Sequence, residues 1–75
     1  MKLPIVSARE VIKALKSINF QITRQSGSHI ILVKFVNNKK LTVVVPHHPE
    51  LAKGTLLSII SQAGLTKEEF IRLLK

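Results

Sequence analysis

The residue pattern predicts an α+β fold in the order α-β-β-β-α-α, a three-stranded antiparallel sheet packed on helices. Three observations predict it. Ser7-Ala8-Arg9-Glu10 and Thr66-Lys67-Glu68-Glu69 both read as capping boxes that open helices. Three β-rich runs lie between them, separated by short turns of Gly or Asn. The 75 residues suffice for one domain, residues 1–75. A domain this small buries only about 60% of its unfolded surface, so its core must be used efficiently. At 45% hydrophobic residues, the composition supports such a core.

The first helix starts after Ser7. Ala8, Val11, Ile12, Leu15 and Ile18 recur at helical spacing and form an apolar stripe, and Asn19 is the stop. Phe20 to Gln25 alternates, with Phe20 and Ile22 on one side and Gln21 and Thr23 on the other, which predicts a half-buried strand. Gln25-Ser26-Gly27 is a turn in which Gly27 can take positive φ. A second strand runs from about Ser28 to Val36, Asn37-Asn38-Lys39 makes a hairpin turn, and a third strand covers Leu41 to Val45. It stops at Pro46, which cannot donate to a ladder. Residues 47–53 form a connecting loop. Gly54-Thr55 opens a helix with Leu56, Leu57, Ile59, Ile60 and Ala63 as core residues and Gly64 as its C-terminal cap. A short last helix follows Thr66 and turns Phe70, Leu73 and Leu74 inward.

Charge narrows the partners. Twelve Lys and Arg stand against four acidic residues, for a formal charge of +8. That favours an anionic partner such as nucleic acid or an acidic protein. Three Phe, no Tyr and no Trp argue against base stacking on an aromatic platform as the main mode of binding. With no cysteine, disulfide scaffolds, thiolate metal sites and cysteine nucleophiles are excluded, and a reducing cytoplasmic setting is compatible. Apolar runs fall far short of the ~20 residues of a membrane helix, and the N-terminal residues lack the apolar region of a signal peptide, so no membrane role is expected.

The most informative segment is Gly27-Ser28-His29, which sets one titratable ring at the mouth of the apolar run Ile30-Ile31-Leu32-Val33. RNA cleavage by internal attack needs a proton taken from the 2′-hydroxyl and a proton given to the leaving oxygen. Histidine suits both tasks because its ordinary pKa of about 6.5 lies near neutrality. The residues alone also fit a strand-edge histidine that hydrogen-bonds a turn. Ser28 has no aspartate anywhere in the chain to complete a nucleophilic relay, and reads as a turn or phosphate hydrogen bond. Gly27 serves backbone geometry and can offer its amide to a phosphate oxygen. Arg24 and Lys34 are the first candidates for cations that stabilise a crowded anionic phosphate. His47 and His48 lack a Cys or Asp to complete a metal site, and no metal or small-molecule cofactor is expected. They read as a loop in which one of the two contacts RNA or a partner, and the less favoured alternative is that His47 or His48 serves as a second proton-transfer group. Arg9, Lys13 and Lys16 share one side of the first helix, with Lys2 as an extension. They form either a phosphate track or the solvated face of an amphipathic helix.

The chain resembles the HicA-type mRNA interferase toxins of toxin–antitoxin pairs. The resemblance rests on Gly27-Ser28-His29, on Thr42-Val43-Val44-Val45-Pro46 followed by His47 and His48, on Leu51 through Leu65, and on Thr66-Lys67-Glu68-Glu69-Phe70. It covers nearly the whole chain. It implies a fold like the double-stranded RNA-binding domain, mRNA as substrate, His29 as the catalytic histidine and a HicB-type antitoxin as partner. Two departures stand out. Ile30 occupies the place where many members carry a second histidine or another polar residue. The basic cluster that double-stranded RNA-binding domains carry at the last helix is absent, with Lys53 alone before Gly54. The expected function is a metal-independent endoribonuclease toxin using a single histidine as general acid and base. The alternatives are a non-catalytic RNA-binding module with the same basic surface, and a protein-interaction domain for an acidic partner.

Overall fold

The computed structural model describes residues 3–74, and its elements follow the predicted order. They are α1 (Ala8–Lys16), β1 (Gln21–Ser26), β2 (His29–Val36), β3 (Lys39–Pro46), α2 (Lys53–Gln62) and α3 (Lys67–Leu73). The strands form one antiparallel sheet in the order β1-β2-β3. Both capping boxes are formed: the Ser7 hydroxyl accepts from the Glu10 amide, the Thr66 hydroxyl accepts from the Glu69 amide, and each glutamate accepts from the cap's own N–H. Each box satisfies amide donors that a helix start leaves free. Asn19 ends the first helical segment at φ +77 and Gly64 follows α2 at φ +73, the left-handed conformation that stops a helix.

One face of the sheet carries the core. Ile30 and Leu32 of β2 and Val43 and Val45 of β3 pack with Val11, Ala14 and Leu15 of α1, Leu56, Ile59 and Ile60 of α2, and Phe70 of α3. These positions alternate along β2 and β3 and recur at helical spacing, so one side of each of these five elements is apolar. Each fully buried Leu, Ile or Phe contributes about 1.5–3 kcal/mol relative to exposure. No polar or charged residue is buried among the described residues.

The structure corrects the reading of β1. Phe20 lies ahead of the strand and is 1% exposed, whereas every residue of β1 is exposed and Ile22 is 42% open to solvent. The strand is at the sheet's edge, beyond the cover of the helices, which contact β3. A register shift between Ile22 and Arg24 leaves Thr23 as an extra residue in a bulge, and that resets the alternation. The remaining differences are at boundaries. β3 is longer than expected at both ends, and Pro46 is its last residue, opposite His29. Helix α2 begins at Lys53, one residue before Gly54, and its N-cap Ala52 makes no side-chain hydrogen bond. Leu57 is half-buried rather than core.

Candidate nucleic-acid interface

The face of the sheet away from the helices is open. The register arranges it in rows: Ser26, His29 and Pro46 across the first, Arg24, Ile31 and Val44 across the second, Gln21, Val33 and Thr42 across the third, Phe35 and Lys40 across the fourth. Paired residues of antiparallel strands project to the same side, and the β2–β3 register is unbroken from His29 to Val36. Val33 is buried at 7% exposure yet stands outside the main core cluster, because its cover comes from this face. All four acidic residues lie elsewhere: Glu10 on α1, Glu50 in the loop, Glu68 and Glu69 on α3.

His29 is held at the first position of β2 by the hairpin before it. Ser26 pairs with His29, so Gly27 and Ser28 form a two-residue turn, and Gly27 sits at φ +56, where a side chain would be strained. Gly27, Ser28 and His29 are all exposed. Arg24 is exposed on the same face, one diagonal from His29. Lys34 is separated from both. Five positions along an unbroken strand put it on the opposite face, where its ammonium lies 5.7 Å from the centre of the Phe20 ring. That contact is a cation–π pair at the margin of the core.

The loop after β3 joins this turn to helix α1. The His47 amide donates to the Ser28 carbonyl at 2.6 Å, and the His48 carbonyl accepts from the Ala8 amide at 3.0 Å. The Leu51 amide donates to the Val6 carbonyl at 2.9 Å. Ser7, Arg9, His47, His48 and Pro49 line a concavity of about 370 Å³ beside the Gly27–Ser28 turn. The structure therefore brings Arg9, His47 and His48 together, a juxtaposition that sequence spacing cannot supply. Lys13 and Lys16 are exposed on α1, and Lys13 lines a separate hollow with Glu10, Leu73 and Leu74. Lys2 lies outside the described residues.

Sequence reasoning missed Phe35. It is 72% exposed while Phe20 and Phe70 are core residues, and it shares the face of His29. The available signal was strand parity: residues 29, 31, 33 and 35 fall on one side of β2. Among the described residues no group of three or more His, Cys, Asp or Glu is placed to hold a metal ion. No helix of the described residues is long and apolar enough to cross a membrane.

The family model for the HicA toxin of bacterial toxin–antitoxin systems matches residues 8–65. The chain belongs to the HicA toxin family. The match begins with α1, takes in the whole sheet with the Gly27–His29 turn and the His47–His48 loop, and ends after α2. Members are generally mRNA-cleaving toxins, and membership implies an antitoxin partner. No curated protein matches the chain.

Proposed function

We propose that this HicA-family chain is a metal-independent endoribonuclease that cuts mRNA, with His29 as general acid and base and a HicB-type antitoxin as its restraint. The observation that carries the reading is the exposed His29 at the head of the open, acid-free sheet face, with Arg24 one diagonal away. The imidazole takes the proton from the 2′-hydroxyl as its oxygen attacks phosphorus. The bond to the 5′-oxygen breaks, that oxygen takes the proton back from the His29 imidazolium, and a 2′,3′-cyclic phosphate remains. General acid–base assistance of this kind is worth roughly 10²–10⁴-fold. Arg24 offsets charge that builds on the phosphoryl oxygens. The Gly27 amide and the Ser28 hydroxyl are further donors at the same turn. His47, tied by its backbone to Ser28, is the alternative donor of the leaving-group proton should His29 act as base alone.

Metal independence draws support from the donors present. The chain has no Cys or Asp, and its four glutamates lie off the sheet. Magnesium-dependent nucleases rely on carboxylate ligands, and no side chain in the four rows is a carboxylate. The deciding assay incubates purified protein with RNA in excess EDTA, wild type beside His29→Ala, with circular dichroism on both. Wild type cuts and the folded variant does not. Full activity in the variant removes His29 from the role, and activity that appears only with added magnesium or zinc moves the mechanism elsewhere. If the wild type neither cuts RNA nor arrests growth when expressed alone, the non-catalytic RNA-binding module is the better account.

A further inference from the structure

Two of the three Phe side chains complete the core, and the third is left in water. Phe35 is 72% exposed, against 1% for Phe20 and 0% for Phe70. A folded domain of this size has little apolar surface to spare, so an aromatic ring left outside invites a reason. Its surroundings supply one. Phe35 pairs across the sheet with Lys40, and Ile31 and Val33 connect it to His29 along one side of β2. Val44, 38% exposed, and Arg24 flank that line. An aromatic ring beside a cation, on a face with no acid, is the chemistry that single-stranded nucleic acid selects: the ring stacks on a base and the cations follow the phosphates.

We infer that Phe35 with Lys40 forms a base-stacking subsite for single-stranded RNA, at the end of the open sheet face opposite His29. The inference rests on RNA being the ligand of this face. Six residues of strand separate the two positions, roughly 20 Å. A substrate must therefore be several nucleotides long to touch both. The subsite contributes affinity and register, while the proton transfers take place at the other end. A protein partner on the same face is the competing occupant. The cations of the four rows suit either anion, and the exposed ring beside Lys40 favours RNA, whose base stacks on the ring while its phosphate meets the cation.

The natural chain has no Trp or Tyr, so Phe35→Trp places a single fluorescent reporter at the subsite. The titration is made in a His29→Ala background to keep the RNA intact, with a single-stranded oligonucleotide long enough to span both positions. The fluorescence of the introduced indole should change in step with binding followed independently by the anisotropy of labelled RNA. Phe35→Ala should weaken binding roughly five- to 150-fold, the effect of losing one stacked base, while Phe35→Tyr retains affinity. A dinucleotide cleaved by the protein that carries His29 should be indifferent to all three substitutions. Silent fluorescence at saturating RNA, or equal affinity in Phe35→Ala and Phe35→Tyr, overturns the subsite. So does loss of a self-associated or antitoxin-bound species in Phe35→Ala with RNA affinity unchanged, which would assign the ring to a protein contact. Failure of the EDTA cleavage assay with the indole response intact removes the acid–base role and leaves this inference standing.

Discussion

Arg24 and Lys34 look equivalent along the chain, five residues before and after His29, and the sheet makes them opposites. Arg24 shares His29's face, and Lys34 is turned to the other side. Replacing each by glutamine tests that distinction. Diagonal neighbours in a sheet lie about 7–8 Å apart at Cα, so a long arginine can hold its charge about 6 Å from a phosphate engaged by His29. At that distance a unit interaction is worth ~0.7 kcal/mol in water and ~2.8 kcal/mol at an effective dielectric of 20. If the interaction strengthens in the transition state, Arg24→Gln slows cleavage about three- to hundredfold, with the lower part of the range favoured by exposure. Lys34 stands about 17 Å away along the strand, beyond the ~8 Å Debye length at physiological salt. Its removal should alter the rate less than about twofold, by the same Coulomb arithmetic. The assay is single-turnover cleavage at saturating protein, which separates chemistry from affinity. An equal loss in both variants would refute the two-face argument, and an unchanged rate in Arg24→Gln would shift the stabilising cation to Arg9 beside the His47–His48 loop.

The helix cations divide in the same way. Arg9→Gln should flatten the slope of log K against log salt by about 0.7, the value of one phosphate contact on a single strand, whereas Lys13→Gln, beside Glu10 in its hollow, should change it less; equal slopes for both variants and wild type would make the stripe a solvated helix face. Glu69 should titrate below the ordinary glutamate range, because its carboxylate accepts from the Thr66 backbone amide, with the Thr66 side chain and then Arg72 adding to the effect. A depressed carboxylate contributes stability that is fully present above its unfolded value and lost as pH falls through its folded value, so acid should loosen the start of α3 and Glu69→Ala should remove that dependence. A carboxyl resonance that titrates in the ordinary range would refute it.

Most of the fold is legible in the sequence because local chemistry and global packing agree. Capping boxes at Ser7 and Thr66 start helices by a mechanism confined to four residues. Asn37 and Asn38 take φ values of +50 and +65 in the two-residue turn between Val36 and Lys39, a geometry that asparagine tolerates. The reading fails where tertiary position decides. Nothing in Gln21–Ser26 states that this strand is at the edge, or that Thr23 bulges out of it. The position of His29 at a strand mouth is readable from Gly27-Ser28-His29. The company it keeps is not. Arg24 joins it through register, His47 through a backbone hydrogen bond from another strand's end, and Phe35 through parity along β2.

The sheet's edges sharpen the case for its open face. An antiparallel sheet can recruit a partner by adding a strand at an unpaired edge. At β3 the Val44 amide donates to the side-chain carbonyl oxygen of Gln62 at 3.1 Å, so a residue of α2 takes up a ladder donor. At β1 the bulge at Thr23 breaks the regular spacing of free donors and acceptors, and the Thr23 hydroxyl turns back to the Ile31 carbonyl at 3.4 Å. Both devices discourage strand addition. The helices already occupy the other face with the core. What the sheet leaves for a ligand is its open face and the rim of loops, and those hold His29, Arg24, Phe35, Lys40, His47 and His48. On the proposed function, an antitoxin that covers that face would exclude RNA without altering the fold. A +8 chain should draw an acidic partner quickly, at a rate that falls as salt is added.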